Sequence, residues 1–284
     1  GGDIVHGASS RALFLSLSYQ GEGKLSIKME LMFDFAGGRG YNISKVGLCG
    51  GEDGFRDRER RSAMERVIFH CDLNSFYASV ELLDHPELRH LPVAVCGDPE
   101  SRHGIILAKN EPAKRFQVQT AETIWQAKRK CPDLVLLPAH HRVYRDFSRR
   151  INRMYQDYTD LVEPFGIDES WLDVSGTLHL FGGDPGALAD ELRRRMRQEF
   201  GLTISVGVSF NKVFAKLGSD YKKPDATTWI TRENFQQLVW PLPVGDLLYV
   251  GRAAAETMKK FGVRTIGDLA HFNRESLFRL LGRH

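Results

Sequence analysis

From Val67 onward, the hydrophobic positions follow regular periods that predict alternating strands and helices. Short apolar runs predict strands at 67–71, 93–96, 105–108, 134–137, 161–165, 170–174 and 203–209. Apolar residues at helical spacing predict helices at 75–83, 110–116, 122–130, 142–158, 184–200 and 211–220. Beyond Pro243 the signals are purely helical. Strands that alternate with helices are typical of an α+β protein with a layered sheet.

The first 64 residues lack these periods. They hold 12 of the 27 glycines and none of the 11 prolines, and they end near the charged run 57–61. We expect residues 1–64 to be poorly ordered, because such a segment has little apolar surface to bury. We also expect the natural domain to begin at Met64, with the upstream stretch a non-native extension.

Composition predicts a soluble, cytoplasmic protein. Hydrophobic residues make up 42% of the chain, yet no stretch approaches the roughly 20 consecutive apolar residues that span a bilayer. No membrane partner is therefore expected. The four cysteines are widely separated and form no C-x-x-C pair, so neither a zinc site nor a disulfide framework is indicated.

Charge is distributed unevenly along the chain. The net charge is +3, but residues 191–284 hold 16 lysines and arginines against 9 acids. This asymmetry indicates a polyanionic partner. The arginines at 193–195 and 197 are equally compatible with a solvated helix surface.

Three acidic residues lie at strand ends beside apolar runs. Asp72 ends the first predicted strand, while Asp168 and Glu169 occupy a turn between two later strands. Acids in such positions are costly unless a cation satisfies them, and a pair of Mg²⁺ ions about 4 Å apart would do so. Taken singly, Asp72 is also compatible with a helix cap and Asp168 with a turn. Spacing alone does not bring Asp72 near Asp168.

Four segments resemble the signatures of Y-family DNA polymerases, in particular the DNA polymerase IV group. They are HCDLNSFYASVE at 70–81, GIDESWLD at 166–173, SVGVSFNKVFAKLGSD at 205–220 and KKPD at 222–225. The resemblance extends from about Arg66 to the end of the chain, in the order and spacing of the family.

The resemblance implies a ferredoxin-like palm with inserted fingers and a small helical thumb. The palm with fingers would occupy 65–242, the fingers lying at about 75–140, and the thumb would occupy 243–284. The family's little-finger domain would then be absent from this chain.

The resemblance also implies a two-metal site. Asp72 and Asp168 would bridge two Mg²⁺ ions, Glu169 would hold the ion at the primer 3′-hydroxyl, and the Leu73 carbonyl would complete the shell of the other ion. Asn74 stands where the family often has an acid, at a position that is not one of the implied ligands.

Contacts to the incoming nucleotide are implied for two aromatic and two basic residues. Tyr77, next to Phe76, would be a steric gate beneath the sugar, where a 2′-hydroxyl would collide. Lys223 and Lys114 would meet the triphosphate as point charges. Tyr77 is also compatible with an ordinary core position, and each lysine with a surface position that has no substrate role.

Glu111 departs from the family pattern. It falls where the family usually places a tyrosine whose hydroxyl reaches the triphosphate, and Gln117 replaces a glycine. A carboxylate at this position would face a polyanion. We therefore expect either a penalty in nucleotide use or a Glu111 side chain that turns away to pair with Lys114.

The helical tail resembles the helix-hairpin-helix of the family's thumb. Its segments are 248–252 and 261–269, and the implied DNA contacts are Val250, Gly251 and Arg252. Such a hairpin offers backbone N–H groups to a DNA phosphate without reading sequence. A plain helical hairpin is the alternative.

The implied reaction is template-directed phosphodiester formation from dNTPs, with release of pyrophosphate and with low fidelity across damaged templates. The implied partners are primer-template DNA, dNTPs and a sliding clamp, and the chain would be monomeric. A non-catalytic DNA-binding accessory protein and a nucleotidyl cyclase on a similar palm are the alternatives. The acids argue against the first, and a thumb hairpin would have no purpose in the second.

Overall fold

A computed structural model describes residues 14–20, 24–30, 66–98 and 104–282. The chain divides into two units, one spanning residues 61–271 and the other comprising 1–60 and 272–284. In the latter unit, strands β1 (Phe14–Gln20) and β2 (Lys24–Glu30) form an antiparallel pair. These strands fall within the segment for which we expect little order. All other residues of 1–64 lie outside the described residues.

The larger unit contains alternating strands and helices. Its described strands are β3 (Ile68–Leu73), β4 (Val93–Cys96), β5 (Ile106–Lys109), β6 (Val135–Pro138), β7 (Val162–Phe165), β8 (Glu169–Asp173), β9 (Ile204–Ser209) and β10 (Thr227–Ile230). Its described helices are α1 (Phe76–Asp84), α2 (Glu111–Arg115), α3 (Ile124–Lys130), α4 (His141–Gln156), α5 (Pro185–Phe200), α6 (Lys212–Tyr221), α7 (Phe235–Val239), α8 (Arg252–Lys260) and α9 (Ile266–His271). Helix α10 (Arg274–Leu281) belongs to the other unit.

The central sheet has five strands in the order β10-β9-β3-β8-β7. Strand β3 is antiparallel to both β8 and β9, β7 is antiparallel to β8, and β10 is parallel to β9. With helices α4 and α5 as crossovers, β3, β7, β8 and β9 have the β-α-β-β-α-β connectivity of a ferredoxin-like sheet. The predicted α+β class is therefore confirmed, and the sheet has the expected connectivity.

The two faces of β3 have different roles because successive side chains of a strand point in opposite directions. Phe69, Cys71 and Leu73 join the main hydrophobic core together with residues of α4 and α5. His70 and Asp72 point to the other face, where α6 packs. The apolar core therefore fixes β3 in place while its opposite face carries polar chemistry.

Gly207 on β9 allows α6 to approach this polar face closely. A Cβ atom at Gly207 would lie 1.8 Å from the Ala215 carbonyl oxygen and 2.4 Å from the Ser219 nitrogen. Both contacts are far shorter than van der Waals separation, so a larger residue would push α6 away. The glycine thus determines how near the side chains of α6 come to β3.

A second, three-stranded sheet lies between α1 and α4 in sequence. Its order is β5-β4-β6, and it has a separate small core. Asn110 caps α2 by accepting a hydrogen bond from the Ala113 N–H, and Thr123 and Gln126 form a reciprocal capping box at α3. This insertion lies within residues 75–140, whose assignment as fingers stays a prediction.

Several predicted elements match the observed ones, and two strands or helices of the larger unit were not predicted. Strand β4 has the predicted bounds, and the long helix predicted at 142–158 is α4. Strand β10 and helix α7 were not predicted. Because β10 has only four residues, its sequence shows no clear period, and it is defined by parallel pairing with β9.

Three of the four cysteines lie among the described residues. Cys71, Cys96 and Cys131 are buried and free, while Cys49 lies outside the described residues. Within the part of the chain that the structure describes, no helix is both long and apolar enough to cross a bilayer.

Candidate active site

Strand pairing brings the predicted acids together at one end of β3. Asp72 on β3 is directly opposite Glu169, the first residue of β8. The Leu73 N–H donates to the Asp168 carbonyl oxygen at 3.0 Å, which holds the turn before β8 against the end of β3. The juxtaposition of Asp72 with the Asp168-Glu169 pair, which spacing alone left open, is therefore a result of the sheet.

Two lysines neutralise these acids. Lys216 Nζ lies 3.3 Å from Asp72 Oδ2, 3.1 Å from Glu169 Oε1 and 3.1 Å from Asp220 Oδ2. Lys223 Nζ lies 2.6 Å from Asp72 Oδ2 and 2.8 Å from Asp220 Oδ1. The sequence identified Lys223 but assigned no role to Lys216 or Asp220. Lys216 and Asp220 are four residues apart on α6 and therefore share one helical face, just before Lys223. This spacing is the signal that could have found them.

The charges in this cluster perturb one another strongly. Burial raises the pKa of Asp72 despite the adjacent lysines. Burial, together with Asp72 and Glu169, raises the pKa of Asp168 to about 6. Burial also acts to raise the pKa of Glu169, but His70 and Lys216 outweigh it and leave this pKa below its usual value. Asp168 is thus the carboxyl that is least compensated by positive charge.

Both lysines remain protonated in this environment. Burial lowers the pKa of Lys216, but Asp72 and Glu169 outweigh it and leave this pKa above its usual value. Burial is likewise outweighed at Lys223, where Asp72 and Asp220 raise the pKa. The cluster is therefore an array of paired positive and negative charges in which Asp72 is buried, whereas Asp220 and Lys223 are exposed to solvent.

His70 is a buried neighbour of the acids that the sequence did not single out. Its Nδ1 lies 2.8 Å from Ser219 Oγ. Its Nε2 lies 3.2 Å from Glu169 Oε2, and neither atom forms a hydrogen bond with a described residue. Ligand atoms of His70, Asp72 and Glu169 lie within 4.8 Å of one another, as in a cation site, whereas Asp168 lies outside this trio.

Asn74 has a structural environment. It is buried, its Nδ2 donates to Ser205 Oγ at 2.9 Å, and its Oδ1 accepts from the Asp225 N–H at 2.8 Å. These bonds tie the end of β3 to the segment that carries Lys223. The departure at Asn74 therefore leaves the acidic cluster intact.

The two aromatic residues at the start of α1 differ in exposure. Phe76 is buried in the main core, whereas Tyr77 is half-buried at its edge. The Tyr77 ring stacks on Tyr144, with centroids 4.1 Å apart and planes at 13°. Burial and the charge of Asp168 raise the pKa of Tyr77, which reflects its nearness to the acidic turn.

Glu111 pairs with Lys114 and also lies near the start of α1. Its Oε1 is 2.5 Å from Lys114 Nζ and accepts from Ser75 Oγ at 3.4 Å. This contact is the pairing that the sequence offered as one of two outcomes. Of the two predicted phosphate-contacting lysines, Lys223 joins the acidic cluster, whereas Lys114 is tied to Glu111.

In the tail, two short helices, α8 and α9, are joined by a turn, and their role as a helix-hairpin-helix stays a prediction. Gly251 is the N-terminal boundary residue of α8, which has no side-chain cap, and α9 follows a turn in which Gly262 has φ 84°. Leu248 packs against a small core that includes Trp171 of β8. Gly251 and Arg252 are exposed, so this helix end is accessible.

The basic run on α5 is paired with acids. The four arginines each contact nearby carboxylates: Arg193 with Asp190 and Asp225, Arg194 with Glu191, Arg195 with Asp157 and Glu199, and Arg197 with Asp225. Arg194 and Arg197 are exposed, whereas Arg193 and Arg195 are partly buried and tie α5 to Asp225 and Asp157.

The fold and site together define an α+β protein with a charge-compensated carboxylate cluster at the end of a ferredoxin-like sheet. The sequence model of the impB/mucB/samB family matches residues 71–220. The chain belongs to this family.

Curated relatives agree with this assignment. The chain is 57% identical over 220 residues to DNA polymerase IV of Acetivibrio thermocellus, covering 78% of this chain and 55% of that protein. It is 43% identical over 217 residues to DNA polymerase IV 1 of Bacillus subtilis, covering 76% of this chain and 52% of that protein. The chain thus spans about half the length of these relatives.

Solved structures share the fold. DinB from Sulfolobus solfataricus superposes with a TM-score of 0.69 at 24% identity, covering 76% of this chain and 63% of that chain. An insertion ternary complex of Dbh DNA polymerase gives a TM-score of 0.70 at 24% identity, with the same coverage.

Proposed function

We propose that this chain is the catalytic core of a translesion DNA polymerase, which adds dNTPs to a primer 3′-hydroxyl under the direction of a template and releases pyrophosphate. The observation that carries the proposal is the meeting of Asp72 with the Asp168-Glu169 turn across β3 and β8. Membership of the family and the names of the curated relatives support the same function. An activity on DNA would take place in the bacterial cytoplasm.

The architecture supplies the parts that such an enzyme needs. The five-stranded sheet would be the palm, the three-stranded insertion the fingers, and the helices from α8 onward the thumb. This division puts the acidic cluster on the palm face of α6 and Glu111 on the fingers. Monomeric state and contact with a sliding clamp stay predictions from the family resemblance.

The residues present fit divalent metal ions. Mg²⁺ prefers carboxylate and carbonyl oxygens, and Asp72, Asp168, Glu169 and the Leu73 carbonyl would offer them. Glu169 Oε2 is buried without a hydrogen-bond partner among the described residues, and the pKa of Asp168 is raised by burial and like charge. Both features favour a bound cation. Two Mg²⁺ ions would lower the pKa of the primer hydroxyl and neutralise the leaving pyrophosphate.

The chain's own cations would complement these ions. Lys223 lies at the rim of the cluster and would bind triphosphate oxygens, exchanging one anionic partner for another. Lys216 is more deeply buried and would hold Asp72 and Glu169 in place. The backbone N–H groups in the first turn of α1, which has no side-chain cap, would contribute further donors for phosphate.

Tyr77 would act as the steric gate. It lies on the first turn of α1, close enough to the acidic turn for its pKa to respond to Asp168. A ring held there by Tyr144 would collide with the 2′-hydroxyl of a ribonucleotide. A deoxyribonucleotide, which lacks this hydroxyl, would fit. Phe76, which is buried behind it, would support the gate from the core and offer only its backbone to substrate.

DNA would be gripped by the thumb through its backbone. The accessible N-terminus of α8, at Val250, Gly251 and Arg252, would bind a phosphate by its N–H groups and the arginine charge. Such contacts are independent of sequence, as a template-directed enzyme requires.

Single-nucleotide primer extension with Mg²⁺ tests the proposal. The chain is assayed at low salt with a high concentration of primer-template, so that weak DNA binding does not hide the chemistry. We expect template-dependent addition of dNTPs, together with dNTP binding that requires metal in calorimetry. Absence of both would overturn the proposal and favour a non-catalytic DNA-binding role.

A further inference from the structure

Glu81 is a buried carboxylate that the proposed mechanism does not use. It lies on α1, one helical turn after Tyr77, and is only 8% exposed. Its Oε1 accepts a hydrogen bond from the Tyr144 hydroxyl, and both of its oxygens lie 3.0 Å from His140 Nδ1. A buried acid with partners from a different helix must have a defined position.

The Tyr144 hydroxyl is bound both as a hydrogen-bond donor and as an acceptor. The His140 backbone N–H donates to the Tyr144 oxygen at 3.0 Å, while the Tyr144 hydroxyl donates to Glu81. The Tyr144 ring is fully buried. Because the hydroxyl is bound as donor and as acceptor, the ring has one orientation between α1 and α4.

Tyr77, in contrast, depends on its aromatic neighbours. Its ring stacks on Tyr144, and His141 meets it edge-on with centroids 5.9 Å apart. No described residue forms a hydrogen bond with the Tyr77 hydroxyl. The position of the Tyr77 ring is therefore set by packing, and the largest parallel surface against it belongs to Tyr144.

We propose that Glu81 is a positioning residue for sugar selection, because it holds the Tyr144 ring on which Tyr77 stacks. This inference rests on the proposed function, in which Tyr77 excludes ribonucleotides by collision. Rejection by collision depends on where the ring lies, and displacements of about 1 Å change enzymatic rates by up to about a hundredfold. Loss of the Glu81 hydrogen bond lets Tyr144 turn, and Tyr77 moves with it.

The network also suggests variants that separate positioning from bulk stability. Glu81→Leu removes the acceptor and keeps a similar volume. Glu81→Gln keeps an amide oxygen that can accept from Tyr144. Tyr144→Phe keeps the stacked ring and removes only the hydroxyl, so it tests the same hydrogen bond even where Glu81→Leu fails to fold. Asp173→Asn is a matched control, since it alters a partly buried carboxylate whose partners are Arg66 and Ser175, away from α1.

The experiment measures single-turnover efficiencies of the chain for dNTP and for the matching rNTP. We expect Glu81→Leu and Tyr144→Phe each to lower the dNTP/rNTP ratio about 5- to 50-fold, mainly through faster rNTP use. The double variant should be no worse than the poorer single variant, because both changes break one interaction. Glu81→Gln and Asp173→Asn should stay within about threefold of the unmodified chain.

Tyr77→Ala separates a failure of the positioning role of Glu81 from a failure of the gate role of Tyr77. If it lowers the ratio while Glu81→Leu and Tyr144→Phe leave it unchanged, positioning by Glu81 is wrong and the gate stands. If Tyr77→Ala itself leaves the ratio unchanged, the gate assignment fails, and the role of Glu81 fails with it. A ratio that falls equally in Asp173→Asn would mean that discrimination follows general stability, which would also overturn the positioning role.

Discussion

Asp72 and Glu169 face each other in register on antiparallel strands, and Lys216 contacts both carboxylates. The sheet therefore brings two acids together at a distance at which they would repel each other without a cation. Lys216 supplies that cation from α6, which Gly207 allows to lie close to β9. The positive charge of Lys216 thus offsets the negative charges of Asp72 and Glu169. We therefore expect substitutions in this site to change stability as well as catalysis.

Removal of either acid of the turn should abolish catalysis. Asp168→Ala and Glu169→Ala are each expected to lower single-turnover extension by at least about a hundredfold, since each removes charge that the transition state needs. Circular dichroism should show that the fold is retained. Extension within about tenfold of the unmodified chain would contradict the two-metal assignment.

Asp168→Asn should stabilise the metal-free protein above about pH 6. The folded pKa of about 6 exceeds the ordinary value, so ionisation of Asp168 costs folding free energy as pH rises between these two values. We expect a gain of about 1–3 kcal/mol in the free energy of unfolding at pH 8. At pH 3.5, where the carboxyl is mostly protonated in both states, the gain should be close to zero. Urea denaturation in EDTA measures it, and equal gains at both pH values would contradict the electrostatic cause.

Lys216→Met should destabilise the metal-free protein. The change leaves Asp72 and Glu169 buried with less positive charge, which costs about 2–4 kcal/mol. Added Mg²⁺ should restore part of this loss, because a ligand that binds only the folded state stabilises it. Lys259→Met, which removes a lysine from an exposed pair with Glu256, is the control and should change stability by less than about 0.5 kcal/mol. A loss that Mg²⁺ does not reduce would argue against a shared role of lysine and metal.

Glu111→Tyr should raise kcat/KM for dNTPs by about ten- to a hundredfold, which corresponds to about 1–3 kcal/mol. The substitution removes a carboxylate at the proposed triphosphate site, frees Lys114 from its 2.5 Å contact and adds a hydroxyl donor. Glu111→Gln separates these effects, since it frees Lys114 without adding the phenol. If Glu111→Tyr leaves the efficiency unchanged or lower, the role given to this position is wrong.

Binding of primer-template should be weak and strongly dependent on salt. Arg252→Gln should reduce affinity at low salt about three- to tenfold and lower the slope of log K against log salt by about one. Arg194→Gln is the control, because Arg194 is already paired with Glu191 on α5. Fluorescence anisotropy across a salt series measures both. A flat response to salt would contradict phosphate contacts as the main source of affinity.

Local sequence patterns predict the α+β class, most helices and strands, and the candidate acids Asp72, Asp168 and Glu169. These features depend on local properties: apolar periods, caps such as Asn110 and Thr123, and the motif around each acid. Short elements defined by a neighbour, such as β10, were not predictable, because their stability comes from pairing with β9.

Which side chains come into contact depends on the folded structure. Register between β3 and β8 puts Asp72 opposite Glu169, close packing at Gly207 brings Lys216 to both acids, and the contact of α1 with α4 joins Glu81 to Tyr144. Each of these relationships links residues far apart in the chain. Periods and propensities describe a residue's near neighbours, whereas the energy of a buried charge or hydroxyl depends on the partner that the folded chain brings to it.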